Sequence, residues 1–180
     1  MTRLTPRNMA IAAMIAALYF ALGIAFAPIS FGPVQARIAE ALCLLCVFSP
    51  VAVWGVTLGC VLTNAYGLAA GATILGPIDI LLGSAATLIA GYMSWRLRDM
   101  RVAGLPLMAT APPVLLNALI VGGELAFAVS GSLWNATHLL FGIEVGLGQF
   151  VACGVFGVVL VRALEKTGTA DRLFRLIQLQ

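Results

Sequence analysis

Charged side chains are scarce in this sequence. Asp, Glu, Lys and Arg make up 9% of the 180 residues and hydrophobic residues make up 62%, whereas soluble domains are about 25% charged. So few charges cannot cover a water-exposed surface, which argues against a soluble enzyme, a nucleic-acid-binding protein and a disordered chain. The mean hydropathy of +1.06 agrees with a chain that lies in the lipid bilayer.

Motifs for catalysis are absent as well. The chain has no Gly-rich phosphate-binding loop, no nucleophile elbow and a single histidine. It therefore cannot hydrolyse ATP alone, and we expect neither an enzyme nor a bound cofactor. Cys43, Cys46, Cys60 and Cys153 lie in apolar stretches without a second C-x-x-C pair or a histidine cluster that would complete a metal site. We expect them to be buried packing thiols.

Six apolar stretches have lengths that suit a bilayer. A spanning helix needs about 20 apolar residues, and Pro50 separates a short second stretch from the third. The predicted spans are 9–27, 36–49, 51–68, 78–95, 105–128 and 139–161. The sequence therefore predicts an all-α integral membrane protein with one membrane-embedded domain over residues 1–180.

The basic residues predict the orientation of these spans. Twelve of the seventeen charged side chains fall in three mainly basic patches, at residues 3–7, 96–101 and 162–175. With six spans, all three patches lie on one side of the membrane. Basic loops remain in the cytoplasm, so both termini are expected there.

The first apolar stretch could instead be a cleaved signal peptide. Arg3 and Arg7 resemble its basic region, and residues 25–27 resemble a cleavage site. However, the apolar run over residues 9–27 exceeds the roughly 7–15 residues of a signal-peptide core. We expect the first helix to be retained.

Five ionisable residues are isolated in apolar sequence, where a charge is costly and a functional role is the default hypothesis. They are Arg37, Glu40, Asp79, Glu124 and Glu144. In the predicted topology the four carboxylates, on four different helices, all lie within about 10 Å of the outer boundary. Because only one base accompanies them, a cationic or donor-rich ligand from outside would balance the surplus negative charge.

Each of these residues also has a structural alternative, which for Glu124 and Glu144 is a purely structural role. Asp79 could be a helix N-terminal acid stabilised by the helix dipole. Arg37 and Glu40, three residues apart, could form an interfacial pair. His138 falls in an outer loop and could simply be solvated there, while Trp134 in the same loop could stack on a planar ligand.

Asn117 is an amide in the middle of a predicted span, after Pro112 and Pro113. It could satisfy carbonyls that the prolines leave unpaired, or it could line a cavity. The sequence does not separate the two.

Small residues recur at a spacing of four in the first span. Ala12 pairs with Ala16, and Ala13 pairs with Ala17. Such patterns let another helix approach closely within lipid. Packing inside this chain and docking of a partner are both open.

Four stretches of the sequence resemble the QueT family. Residues 29–42 carry its Phe-Gly-Pro motif followed by Gln, Arg and Glu, and residues 77–88 carry its aspartate-to-threonine-leucine motif. Residues 117–125 resemble the fifth helix of the family and residues 142–149 its sixth. The resemblance covers nearly the whole chain.

This resemblance implies a substrate-binding S component of an energy-coupling factor (ECF) transporter for queuosine precursors. Such a protein has six helices, both termini in the cytoplasm and a ligand site beneath outer loops. Its partners are an ECF T component and two cytoplasmic ABC-type ATPases, and toppling of the S component is proposed to carry the site inward. The implied docking positions for the T component are Ala12, Ala13, Ala16 and Ala17.

The ligand implied by the family is 7-aminomethyl-7-deazaguanine or queuine. Carboxylates can accept the ring N–H and amino donors and can bind the ammonium group. We expect Glu124 or Glu144 at one end of the ligand. The other end would meet Glu40 or Asp79, with Arg37 either contacting the ligand or holding Glu40. The candidate binding residues are Gln35, Arg37, Glu40, Asp79, Asn117, Glu124, Trp134, His138 and Glu144.

Four other functions can be compared with this one. An S component for another vitamin and a solitary small-molecule transporter both share its architecture. A membrane-embedded enzyme would need a nucleophile–base or metal arrangement that the sequence lacks. A structural scaffold would not explain carboxylates at one depth.

Purified protein is expected to bind 7-aminomethyl-7-deazaguanine in preference to guanine, thiamine and riboflavin, as measured by calorimetry. Replacing Glu124 or Glu144 by glutamine should weaken this binding. Preference for a vitamin would reject the substrate and leave the architecture standing.

Overall fold

A computed structural model describes residues 5–31, 37–73, 76–132 and 136–178, with side chains up to Phe174. Its α-helices are α1 (Pro6–Ala25), α2 (Ala27–Ser30), α3 (Pro50–Ala69), α4 (Ile78–Arg96), α5 (Ala111–Ser130), α6 (Ala136–Gln149), α7 (Val158–Lys166) and α8 (Thr169–Gln178). A 3₁₀ helix (Ile38–Val47) precedes α3, a short 3₁₀ turn (Leu107–Thr110) precedes α5, and a π-helix (Phe150–Gly157) joins α6 to α7.

The predicted all-helical membrane architecture is confirmed. Within the described ranges, five helical segments are long and apolar enough to cross a bilayer. They are Pro6–Ala25, Pro50–Ala69, Ile78–Arg96, Leu107–Ser130 and Ala136–Lys166. These correspond to five of the six predicted spans. The second predicted span, residues 36–49, is instead the ten-residue 3₁₀ helix Ile38–Val47.

The 3₁₀ helix Ile38–Val47 runs through the interior of the bundle. Every residue from 39 to 47 is buried, so its backbone does not meet lipid. A 3₁₀ helix rises about 2.0 Å per residue against 1.5 Å for an α-helix, so ten residues reach about 20 Å. Arg37 at one end binds Asp79 at the start of α4, and Phe48 at the other end stacks on Phe174 of α8. The segment thus connects the two ends of the bundle.

The three basic patches meet at one end of the bundle, called here the basic end. Arg7 in the first turn of α1 donates to the carbonyl of Arg172 in α8 at 2.9 Å. Arg101, in the connection after α4, pairs with Glu165 of α7 at 2.6 Å. The chain therefore returns to one side before α1, after α4 and after α7, as the predicted topology requires.

Glycines on α3 allow α1 to approach its backbone. A Cβ at Gly55 would lie 2.9 Å from the carbonyl oxygen of Ala12, and one at Gly59 would lie 3.0 Å from that of Ala16. The same atom at Gly59 would be 2.6 Å from Cβ of Tyr19. One face of the alanine pattern thus packs inside the chain.

The second face of the alanine pattern points outward. Ala13 and Ala17 are exposed, as are their neighbours Met14 and Leu18, at 53% and 50%. The structure therefore separates the two alanine pairs: Ala12 with Ala16 serves internal packing, and the other pair is available to lipid or to a partner.

Hydrogen bonds of Ser94 and Asn117 test the hypothesis that Asn117 pairs with a carbonyl that the prolines leave free. Pro113 has no N–H for the carbonyl of Ala109, four residues earlier. Ser94 of α4 donates to that carbonyl at 2.7 Å. Asn117 instead donates to the carbonyl of Pro113 in its own helix at 2.9 Å, so it does not satisfy the carbonyl that Pro113 frees.

The cysteines confirm the packing prediction. Cys43, Cys46, Cys60 and Cys153 are all free thiols and all buried. They belong to the hydrophobic core formed by α1, the 3₁₀ helix, α3 and the π-helix. Small apolar side chains there let these four segments approach closely.

Gly59→Ala is expected to lower the free energy of unfolding by about 1–3 kcal/mol, the usual cost of overpacking, because the added Cβ has no space beside Tyr19. Gly146→Ala is the matched control, since a Cβ there would lie at an ordinary 3.4 Å from Ala118 Cβ. Denaturant titration in detergent micelles measures both. Equal stability of the two variants would contradict the packing argument.

Candidate functional site

Four of the isolated ionisable residues lie at the end of the bundle away from the basic end. Arg37 and Glu40 are at the start of the 3₁₀ helix, Asp79 is in the first turn of α4, and Glu124 is near the end of α5. Glu124 interacts electrostatically with Asp79 and Arg37. We refer to Arg37, Glu40, Asp79 and Glu124 as the carboxylate cluster.

Arg37 is paired with Asp79. Its Nη2 lies 2.9 Å from Oδ2 of Asp79, and the two side chains are 6% and 1% exposed. Its Nε donates to the carbonyl of Ser30, and its guanidinium lies 5.9 Å from the centroid of the Phe31 ring. Arg37 is therefore held on several sides by the protein and neutralises one buried carboxylate.

The predicted pairing of Arg37 with Glu40 is wrong. Arg37 precedes the 3₁₀ helix in an extended conformation, with φ −86° and ψ 98°. The proximity of residues three apart holds only within a helix. The extended backbone instead directs Arg37 toward Asp79.

Glu40 is satisfied inside the protein. The hydroxyl of Tyr19 on α1 donates to its Oε1, and the thiol of Cys43 donates to its Oε2 at 2.9 Å. The thiol of Cys153 in the π-helix donates to its backbone carbonyl at 3.1 Å. Glu40 joins three segments of the core, which explains its burial without a ligand.

Asp79 is only partly satisfied. Its Oδ2 binds Arg37, whereas its Oδ1 is buried without a hydrogen-bond partner in the described part of the chain. Asn64 of α3 donates to its backbone carbonyl at 2.9 Å. A Cβ at Gly83 would lie 2.5 Å from Oδ1, so glycine is needed there. Asp79 does occupy the first turn of α4, as the helix-dipole alternative predicts, but its cationic partner is Arg37.

Glu124 has two unsatisfied oxygens. The residue is 8% exposed, and neither Oε1 nor Oε2 has a hydrogen-bond partner among the described residues. A buried carboxylate without partners costs several kcal/mol, of order 1–3 or more per unpaired group. Glu124 therefore requires a proton, water or the donors of a ligand.

Glu144 does not join the carboxylate cluster. Gly142, on the opposite side of α6, faces α5 so closely that a Cβ at Gly122 would lie 2.7 Å from its Cα. One turn from Glu144 on the outward side, Leu140 and Leu147 are 57% and 62% exposed. Glu144 is half-buried, and the helical period places it on a different side of α6 from Gly142, away from α5.

His138 lies in the first turn of α6, since that helix begins at Ala136; its predicted place in a loop is wrong. Its Cε1 lies 3.1 Å from the position that a Cβ of Gly123 would take, so the ring packs on α5 next to Glu124. Gln35 and Trp134 lie outside the described residues.

Asn117 is buried at 3% exposure. It lies seven residues, or about 10 Å, along α5 from Glu124. Its amide nitrogen already binds the carbonyl of Pro113. The structure does not bring it into the carboxylate cluster.

Sequence reasoning missed several buried polar side chains. Ser30, Asn64 and Ser84 each carry a buried oxygen without a partner in the described ranges, and Tyr19 binds Glu40. The serines and the tyrosine are uncharged and common in spanning helices. Asn64, an amide within an apolar span like Asn117, is the one that the same criterion could have found.

The arrangement suits binding of hydrogen-bond donors. The described residues contain no group of three or more His, Cys, Asp or Glu side chains placed to hold a metal ion. What they present instead is a set of buried oxygens without partners, mostly acceptors, on α2, α3, α4 and α5. Such a set can accept hydrogen bonds from N–H groups.

Arg37→Gln is expected to destabilise the protein by about 3–5 kcal/mol, because it leaves Asp79 buried without its cation. Adding Asp79→Asn should recover most of this loss, since no unpaired charge then remains at that position. Denaturant titration of both variants in detergent measures the two values. A double variant as unstable as the single one would show that the pair does not act through charge.

Comparison with known proteins identifies the family of this chain. A search of curated proteins and a search of solved structures gave no match. The family model described as QueT transporter matches residues 9–166, which is most of the chain. The chain belongs to the QueT transporter family, a family of membrane transport proteins and not of enzymes.

Proposed function

We propose that this protein is the substrate-binding S component of an ECF importer and captures a queuosine precursor from outside the cell. Membership of the QueT transporter family supports transport of a small molecule. The observation that carries the proposal is Glu124, a buried carboxylate with both oxygens unpaired. A ligand with adjacent N–H donors satisfies both oxygens at once.

A 7-deazaguanine ring has the donors that Glu124 lacks. Its ring N–H and exocyclic amino group lie side by side on one edge, and a carboxylate can accept from both. Glu40 and Arg37, already held by internal partners, position the surrounding helices in this proposal. Glu144 on the outward face of α6 takes no part in it, which narrows the earlier choice between Glu124 and Glu144.

The 3₁₀ helix supports six crossings of the chain. It connects Arg37, in the carboxylate cluster, to Phe48 at the basic end. At about 20 Å it is shorter than the roughly 30 Å hydrocarbon core, but its complete burial removes the need to match the lipid. The basic end then faces the cytoplasm with both termini, by the positive-inside rule.

An ECF T component and two cytoplasmic ABC-type ATPases complete the proposed transporter. The chain has no phosphate-binding loop of its own, so energy for uptake must come from such partners. The outward pair Ala13 and Ala17 is the proposed docking surface for the T component, because small residues let a second helix approach. Ala12 and Ala16, used against α3, support that surface from within.

Glu124→Gln is expected to weaken binding of 7-aminomethyl-7-deazaguanine at least about tenfold, since hydrogen bonds to a charged group contribute about 1.5–3 kcal/mol. Glu144→Gln removes the same charge from the outward face of α6 and should change the affinity less than about threefold. Calorimetry on purified protein measures both.

The stability of Glu124→Gln is the internal control. Because the substitution removes an unpaired buried charge, the free energy of unfolding should not fall. Unchanged affinity in a folded Glu124→Gln protein would remove the basis of the proposal, as would a larger loss in Glu144→Gln.

A further inference from the structure

The buried unpaired atoms of the described ranges are all oxygens. Two belong to Glu124, one each to Asn64 and Asp79, and one each to the hydroxyls of Ser30 and Ser84. The hydroxyls can donate or accept, but the carboxylate and amide oxygens can only accept. The carboxylate and amide oxygens therefore need hydrogen-bond donors, and these oxygens lie on three different helices.

Asn64 and Asp79 form a second acceptor pair, across the interface of α3 and α4. Both residues are almost fully buried, at 1% and 0% exposure. The amide nitrogen of Asn64 donates to the backbone carbonyl of Asp79 at 2.9 Å. Because only the amino group can bind a carbonyl, this bond fixes the amide orientation and leaves Oδ1 as the free atom.

The lack of a side chain at Gly83 accommodates the polar groups of this pair. A Cβ there would lie 2.5 Å from Oδ1 of Asp79 and 3.1 Å from Nδ2 of Asn64. Any side chain on Gly83 would displace one of the two polar groups. Arg37 occupies Oδ2 on the far side of the same carboxylate, so Oδ1 is the oxygen left for a ligand.

The charge balance favours a cation at this pair. The carboxylate cluster holds three carboxylates and one guanidinium, Arg37, which contacts Asp79. A compact ammonium group donates three hydrogen bonds and accepts none. It would satisfy the free oxygens of Asn64 and Asp79 and reduce the surplus negative charge.

We propose that Asn64 and Asp79 form a separate subsite that binds a primary ammonium group on the side chain of the ligand, while Glu124 binds the ring. This inference rests on the proposed function, because it assigns the second end of the same ligand. It makes Asn64 a specificity-determining residue: it selects the aminated ligand from the same ring without the amine.

The test compares two ligands that differ only in the ammonium group, 7-aminomethyl-7-deazaguanine and 7-methyl-7-deazaguanine. The measured quantity is the ratio of their dissociation constants on purified protein. Unsubstituted protein should prefer the aminomethyl ligand at least about tenfold, as expected for charge-assisted hydrogen bonds. Equal affinity would overturn the subsite and leave the ring site intact.

Asn64→Leu should lower the ratio, because one of the two acceptors is lost, and leave affinity for the methyl ligand within about threefold. Thr57→Val is the matched control on the same helix, because it removes a side-chain bond to the carbonyl of Val53 about 10 Å from Asn64. The control should keep the full ratio. A folded Asn64→Leu protein that also keeps it would overturn the proposal.

Glu124→Gln separates the two proposals. It should weaken both ligands by the same factor and preserve their ratio; a loss of the ratio in this variant would place the ammonium at Glu124 and overturn the subsite. Failure of unsubstituted protein to bind either ligand would instead overturn the proposed function. If the leucine variant does not fold, the same ratio is measured on Asn64→Ser, which keeps a polar group for the carbonyl of Asp79.

Discussion

The cost of burying charge in a membrane protein governs this structure. Arg37 and Asp79 form an ion pair that is almost free of solvent, and it fixes the start of the 3₁₀ helix against α4. Breaking one partner of such a pair is far more costly than removing both. Glu124, which interacts electrostatically with that pair, has no such compensation. The difference separates the residues that hold the fold from the residue that we propose binds the ligand.

Internal hydrogen bonds also explain how buried carboxylates are tolerated in so apolar a chain. Glu40 is surrounded by donors from α1 and its own helix, so its burial adds to the order of the core. The helices are thereby fixed before any ligand arrives. A preformed arrangement lowers the entropy that binding must overcome.

The fold could be predicted from the sequence wherever long apolar segments and local rules decide. Five spans and the gathering of the basic patches follow from hydropathy and charge. The 3₁₀ helix could not be predicted, because a short apolar run is equally compatible with an α-helix and with the more extended 3₁₀ helix. The extended backbone at Arg37 directs its side chain to Asp79 and not to Glu40. The sequence spacing of these residues does not reveal that backbone conformation.

The candidate site was predictable as a set of charges but not as a set of contacts. Sequence spacing placed Glu124 and Glu144 alike, and only the packing of α6 on α5 through Gly122 turns Glu144 outward. Asn64 was missed, although it is an amide within an apolar span like Asn117 and the same criterion could have found it. Depth in the membrane follows from sequence position, whereas the direction of a side chain depends on which helix it packs against.

The stretched geometry of the 3₁₀ helix has a mechanical consequence. Were its ten residues to rewind into an α-helix, the segment would contract by about 5 Å. The two end contacts could not both be kept: either the guanidinium of Arg37 would leave Asp79, or Phe48 would leave Phe174. A change in the length of the 3₁₀ helix would therefore couple the two ends of the bundle.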